Sequence, residues 1–201
     1  VGTATSNAAT FIVGDAPAIA GQPVDRIASL GGAVAFDVNA TGPLLSYQWQ
    51  KRDANGSFVD VTGATNGTFG LAHAAANDTG VYRCRVTNPF GSATSATATL
   101  TVFTPPAITA HPADVNTLTG ATVTFDANAT GSQPLTFQWQ RDLNGTFTNL
   151  AGATGPSYSL ANVGLADDNS SYRVIVSNNG GSVTSNGADL YIALPATLAE
   201  F

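Results

Sequence analysis

The sequence predicts an all-β chain of tandem β-sandwiches, about seven to eight strands each, arranged end to end. Three observations carry this. Tyr47-Gln48-Trp49-Gln50 returns as Phe137-Gln138-Trp139-Gln140, and the two tryptophans, the only ones in the chain, lie ninety residues apart. A period of that size with one tryptophan per copy is a domain-sized repeat. Each copy then runs through an Asn-Gly pair (Asn55-Gly56, Asn144-Gly145), a Gly-Ala-Thr (63–65, 152–154) and a tyrosine-centred strand. Finally, the apolar runs are short and alternate with polar residues between turn signals, and no helical period competes with them.

Composition supports this architecture and narrows the function. A chain of 201 residues suits two domains, each large enough for its own core. Hydrophobic residues make up 43%, so the chain folds, while charged residues reach only 10% against the usual ~25%. The surface is therefore built largely from Thr, Ser, Asn, Gly and Ala. A net charge of −6 with a single lysine offers phosphates no basic patch, which argues against a nucleic-acid partner. No apolar run approaches the ~20 residues of a membrane-spanning helix, so no membrane insertion is expected in this segment. One cysteine excludes an intramolecular disulfide or a cysteine-built metal site. With no initial Met and no signal-peptide pattern, the expectation is a processed chain or a piece of a longer one.

Residues 1–13 share the grain of 91–102 and 181–192, Thr-rich and β-branched at the same period, and are expected to be the closing strand of a preceding unit. Pro-containing seams recur at Ala16-Pro17, Pro105-Pro106 and Leu194-Pro195, as short stiff spacers. They bound units at 17–103 and 106–192, with 193–201 as the start of a following unit or a tail. Within the first unit, Val34, Phe36 and Val38 alternate with polar or small residues, a half-buried strand. Ser46 to Lys51 sets Tyr47 and Trp49 on one face against Gln48 and Gln50. Asn55-Gly56 supplies hairpin chemistry. Phe58–Val61 and Thr68–Leu71 are short strands joined by an Ala-rich loop to Val81–Val86, where Tyr82, Cys84 and Val86 face inward against Arg83 and Arg85. Asn88-Pro-Phe-Gly91 turns the chain into its closing strand. The second unit repeats the order: Val123–Ala127, Thr136–Arg141, Tyr158–Leu160, Ser171–Val176, the turn Asn178–Gly181, and Ser182–Ile192.

This order, with Asp78-Thr-Gly-Val-Tyr-Arg-Cys84 and Asn88-Pro-Phe-Gly91, resembles the immunoglobulin domain of the I-set type. It is most similar to tandem bacterial versions with Tyr-Gln-Trp-Gln and Gly-Ala-Thr signatures. The resemblance implies that Trp49 and Trp139 are the core tryptophans and that Tyr82 and Tyr172 are tyrosine corners. It also places Asp78 and Asp168 at the acidic position before each tyrosine, with Ser170 where the first unit has Gly80. The family's inter-sheet cysteines fall on Val38 and Cys84, and on Ala127 and Val174, so neither unit forms that bridge. Cys84 is expected to be a buried, reduced thiol.

A search for chemistry finds none. The nucleophile-elbow, zincin, phosphate-loop and Cys-x-x-Cys patterns are absent. His73 and His111 do not pair, and neither cofactor nor metal is expected. Asp53-Ala-Asn-Gly-Ser-Phe-Val-Asp60 weakly resembles a calcium loop, and Asp15 and Asp114 lie near the seams, but Asn-Gly already has a turn to account for it. Sequons at Asn39, Asn55, Asn77, Asn128 and Asn144 are the expected by-product of an Asn- and Thr-rich chain. Phe58 and Phe147 recur, which suggests core or hairpin packing. Phe90 does not recur; it is expected against the seam at Val13 to Pro17, with ligand contact as the alternative. The functional expectation is a non-enzymatic segment of an extracellular bacterial surface protein, a rigid spacer or fibre unit joining neighbouring units or copies of itself end to end. The alternative is an adhesin-type module binding carbohydrate or a host or cell-surface protein through the loop ends.

Overall fold

The computed structural model describes residues 2–7, 13–143 and 145–195. In the first unit the strands are β1 (Ala18–Gly21), β2 (Arg26–Ser29), β3 (Val34–Asp37), β4 (Asn39–Thr41), β5 (Ser46–Arg52), β6 (Phe58–Asp60), β7 (Thr68–Leu71), β8 (Gly80–Asn88), β9 (Gly91–Thr94) and β10 (Ala98–Phe103). One layer is ordered β2-β10-β8-β5-β6, with β9 also on β8; the other is built from the pairs β1-β4 and β3-β7. The second unit repeats this with β11 (Ala107–Ala110), β12 (Val115–Leu118), β13 (Val123–Asp126), β14 (Asn128–Thr130), β15 (Thr136–Leu143), β16 (Thr146–Asn149), β17 (Ser157–Leu160), β18 (Ser170–Asn178), β19 (Gly181–Thr184) and β20 (Ala188–Ala193). Its layers are β12-β20-β18-β15-β16 with β19 on β18, facing β11-β14 and β13-β17. Each unit is an all-β sandwich.

The ten strand segments per unit exceed the expected seven to eight because continuous strands are split. Asp37 and Asn39 flank Val38, whose N–H leaves the ladder register for the Gly67 carbonyl at 2.9 Å; Ala127 does the same with Pro156 at 3.0 Å. The closing strand breaks at Ser95 and Ser185. There the buried hydroxyl accepts the N–H of Cys84 at 2.9 Å and of Val174 at 3.0 Å. The serine N–H in turn donates to the carbonyl of the same residue. A side chain thus stands in for the missing ladder partner, as burial requires. The early strands β1 and β2, and β11 and β12, were not resolved from the sequence, being short and with few buried positions. Of the expected strand 1–13, Gly2–Asn7 and Val13 are exposed and in no strand; Val1 and 8–12 lie outside the described residues, as do 196–201.

Each core is a square of four aromatic rings drawn from both layers. Phe36 and Phe69 come from β3 and β7, Trp49 and Tyr82 from β5 and β8, with centroids 5.9 Å (Phe36–Trp49), 5.3 Å (Phe36–Tyr82), 6.0 Å (Trp49–Phe69) and 5.7 Å (Phe69–Tyr82) apart. In the second unit Phe125, Trp139, Tyr158 and Tyr172 form the same square at 4.6 to 6.4 Å. Such pairs contribute about 0.5–1.5 kcal/mol each beyond area burial. Four of them per unit join the layers on a scale similar to the disulfide that is missing, about 2–5 kcal/mol. Both indole N–H groups are satisfied, Trp49 by the Asn66 carbonyl at 2.9 Å and Trp139 by Gly155 at 3.0 Å.

The hairpins differ. In the second unit the last pair is Leu143 with Thr146, and Asn144 of the expected Asn-Gly turn lies outside the described residues. In the first unit the last pair is Arg52 with Phe58, and a five-residue loop follows.

Candidate functional site

The sequence-derived positions divide between core and surface. Trp49, Trp139, Cys84 and Val174 have no exposure, and Val38 and Ala127 are buried at the breaks of their strands. Cys84 faces Trp49 across the β5–β8 ladder, and Val174 faces Trp139 in the same register. Burial pushes the Cys84 thiol up to about 11, with a partial opposing pull from the Gln48 backbone. It is therefore protonated at neutral pH, and it is enclosed. Since the nucleophile is the thiolate, this is a packing residue.

The two tyrosines part company. The Tyr82 hydroxyl donates to the Asp78 carbonyl at 2.6 Å, closing a corner after the single-turn helix Ala76–Asp78. In the second unit the equivalent turn is Leu165–Asp167, so one more residue separates it from its tyrosine. Asn169 takes up the extra residue at φ 57°. Asp168 follows that turn and caps the edge of β20, its Oδ1 accepting the Ile192 N–H at 2.7 Å. The Tyr172 hydroxyl is buried with no partner among the described residues. The neighbouring Ser170 hydroxyl is committed, donating to the Asp167 carbonyl at 2.6 Å and accepting Arg141 Nη2 at 2.7 Å. Arg141 also pairs with Asp167 at 3.0 Å. In the first unit a Cβ at Gly80 would lie 2.7 Å from Lys51 Cε, so a serine there would displace the lysine side chain.

Three further titratable candidates, His111, Asp53 and Asp114, have structural jobs. His111 Nδ1 accepts the Asn186 N–H at 3.0 Å, the task Gln22 Oε1 performs for Ala96 at 2.7 Å. Asp53 Oδ1 accepts the N–H of Asn55 at 3.0 Å and of Ser57 at 2.8 Å, fixing the five-residue hairpin. Asp114 Oδ1 accepts the Asp189 N–H at 2.8 Å, as Asp25 does for Thr99 at 2.7 Å. Among the described residues no group of three His, Cys, Asp or Glu could hold a metal ion.

Two surface features stand out. The first is the end of each sandwich where the β8–β9 turn and the loop after β4 meet the entering chain. Asn88 Nδ2 donates to the Asp15 carbonyl at 2.8 Å and to Pro43 at 3.1 Å, while its Oδ1 accepts the Phe90 N–H at 2.9 Å. Asn178 repeats this with Thr104 and Ser132, both at 2.8 Å, and with the Gly180 N–H at 2.8 Å. One amide thus fastens the entering segment, the loop and the turn of its own unit together. Gly131, at φ +147°, lets its loop approach the entering chain: an added Cβ would lie 3.0 Å from Pro106 Cα. The Phe90 ring lies beside Gly14, where a Cβ would come within 3.0 Å of it, yet the ring stays 36% exposed. Leu44, which the sequence reading did not single out, is 60% exposed at φ 52°. A bulky residue at positive φ is a genuine outlier. The available signal was an apolar pair, Leu44-Leu45, directly after Gly42-Pro43.

The second feature is the outer face of the larger layer. Phe58 and Phe147 are not core residues: the Arg83 guanidinium stacks on Phe58 at 3.9 Å and Arg173 on Phe147 at 3.8 Å. Each arginine Nε donates to a glutamine, Gln50 or Gln140, at 2.8 Å. Those glutamines donate onward to Asp60 at 2.8 Å and to Asn149 at 2.7 Å.

Residues 17–102 match the family model of the immunoglobulin I-set domain. The chain is 32% identical to Roundabout homolog 1 of Homo sapiens over 71% of its length, covering 9% of that protein. It is 27% identical to the cell adhesion molecule DSCAM of Gallus gallus over 69% of its length, covering 7% of that protein. It thus spans about a tenth or less of the curated relatives it matches. Extracellular domains 3–5 of Drosophila OTK share its fold, with a TM-score of 0.68 at 22% identity over 88% of this chain and 62% of that one. Among the described residues no helix is long and apolar enough to cross a membrane. The chain is therefore a module of two tandem immunoglobulin I-set-like β-sandwiches lacking a disulfide.

Proposed function

We propose that the chain is a binding module of an extracellular adhesion or receptor protein at the cell surface, contacting a protein or carbohydrate partner through the loop ends of its sandwiches. The observation that carries this is the pair Leu44 and Phe90, apolar and exposed at one loop end of the first unit, with Leu44 held at positive φ. Exposed apolar residues on a fixed loop are a recurrent feature of recognition surfaces. Similarity to a protein named a cell adhesion molecule and to extracellular domains points the same way.

A spacer role, with units bounded at 17–103 and 106–192, is the second reading. It is favoured by the Asn88 and Asn178 clamps, which fasten each entering segment to its own unit. A bacterial source rests on the sequence signatures alone, since the relatives named above come from animals. Immobilised chain screened against glycans and cell-surface ectodomains tests the binding reading. The expected result is a partner lost in Leu44→Asp while the unfolding midpoint is retained. Partners indifferent to Leu44→Asp and Phe90→Ala, or no partner at all, would leave the spacer.

A further inference from the structure

Charge is unevenly distributed over the two units. Residues 17–103 carry five basic and five acidic side chains, whereas 106–192 carry two basic and six acidic. On the outer face of the first unit Arg52, Arg83 and Arg85 stand together. Arg83 lies across from Gln50 on β5, Arg85 across from Gln48, and Arg52 across from Phe58 on β6. Among the described residues none of the three is ion-paired: the salt bridges are Arg26–Asp37 and Arg141–Asp167. Arg52 and Arg83 are steadied on the Phe58 ring at 4.9 and 3.9 Å, while Arg85 is exposed. The second unit does not repeat this face, because the same register positions hold Asp142 for Arg52 and Ile175 for Arg85.

The complement is found on the second unit. A shallow pocket of about 300 Å³ opens beside β12 and β20, lined among others by Asn116, Asp168, Asn169 and Tyr191. Asp189 and Asp114 lie close by, and Tyr191 is 41% exposed, its hydroxyl donating to Asp189 Oδ2 at 3.3 Å. The negative field is strong enough to push the Tyr191 phenol up, chiefly through Asp189, with Asp114 and Asp168 contributing. No cation neutralises these three carboxylates among the described residues. The first unit lacks this surface too, since Thr99 and Thr101 stand where Asp189 and Tyr191 do. A carboxylate beside an aromatic ring suits a guanidinium, which it can hold by hydrogen bonding and by cation–π contact.

We propose that the arginine face of the first unit of one chain docks on the acidic, tyrosine-walled pocket of the second unit of another copy, with Arg85 entering the pocket. The occupant is a second copy because each charged surface is unique to one unit and opposite in sign to the other. The two surfaces differ, so the contact is heterologous and leaves one of each unfilled at the ends, which permits chains of copies to grow. This contact involves neither Leu44 nor Phe90, so it stands or falls separately from the loop-end function.

Sedimentation velocity of the full chain over a concentration series tests it. At 20 mM salt the weight-average sedimentation coefficient should rise with concentration, and at 500 mM salt the rise should vanish. Arg85→Glu and Asp189→Arg should each weaken self-association about tenfold or more, like charges then facing each other. Neither side chain holds a backbone group, so both variants should keep the parent unfolding midpoint. Mixed together, the two variants should associate again, through one native contact and one charge-swapped contact. A chain that stays monomeric at low salt, variants that associate like the parent, or a mixture that stays monomeric would each overturn the proposal. So would capture of a uronate polymer by the arginine face without self-association.

Discussion

Replacing each corner tyrosine by phenylalanine should give opposite results in two units of one fold. Tyr82→Phe removes a hydroxyl that donates to the Asp78 carbonyl at 2.6 Å from a side chain only 2% exposed. The carbonyl loses its donor inside the corner, a change worth about 1–2 kcal/mol of destabilisation. Tyr172→Phe removes a buried hydroxyl that has no hydrogen-bond partner among the described residues. Burying an unpaired hydroxyl is unfavourable by roughly 1–3 kcal/mol in mutational data, so its deletion should be neutral or stabilise by up to about 1 kcal/mol. The separation between the variants is therefore about 2 kcal/mol, some thirtyfold in the folding equilibrium. Urea unfolding followed by tryptophan fluorescence measures it, since each core holds one tryptophan. Amide exchange in β8 and β18 assigns the change to a unit. Equal losses in both variants would refute the reasoning, showing that the Tyr172 hydroxyl is bonded through an ordered water. A silent Tyr82→Phe would show that the corner bond contributes nothing.

Trp49→Ala and Trp139→Ala should each destabilise their own unit by about 3–5 kcal/mol, read from the same urea curves, because each removes a ring from a four-membered square. Cys84→Val should change stability by less than about 1 kcal/mol, Val174 already filling the equivalent place, and the parent thiol should resist labelling until the unit unfolds. At alkaline pH the first unit should weaken. Its Cys84 thiol is raised from 9.0 to about 11 and its Tyr82 phenol from 10.0 to about 12, so folding favours the neutral forms. Their contribution is whole below pH 9 and is lost as pH rises through those folded-state values, and Cys84→Val should remove the lower part of the loss from a Tm-versus-pH profile. Asn178→Ala should release the Thr104 and Ser132 carbonyls and speed amide exchange at Thr104 and around residues 130–133, with the β18 core unchanged.

Period and alternation determined much of this protein. Tryptophan spacing, inward alternation at Tyr82, Cys84 and Val86, and the lone cysteine fixed an all-β tandem of disulfide-free sandwiches, because burial on one sheet face imposes a two-residue pattern that survives translation into sequence. What the sequence could not convey depends on partners distant along the chain. Recurrence of Phe58 and Phe147 suggests core or hairpin packing without deciding between them; Arg83 and Arg173, two strands away, stack on the rings at the outer face. Asp168 reads as the corner acid by its distance from Tyr172, but one more residue separates the helical turn from that tyrosine, and the tyrosine hydroxyl has no hydrogen-bond partner among the described residues. Ser95 and Ser185 look like ordinary surface hydroxyls in Thr-rich stretches, and only the breaks in their strands turn them inward. Leu44 carried no periodic signal at all; its exposure and positive φ are set by the loop around it. Local periodicity reports which face of a strand is buried. Hydrogen-bond partners, ring stacking and charge complementarity join residues tens of positions apart, so only the tertiary structure decides them.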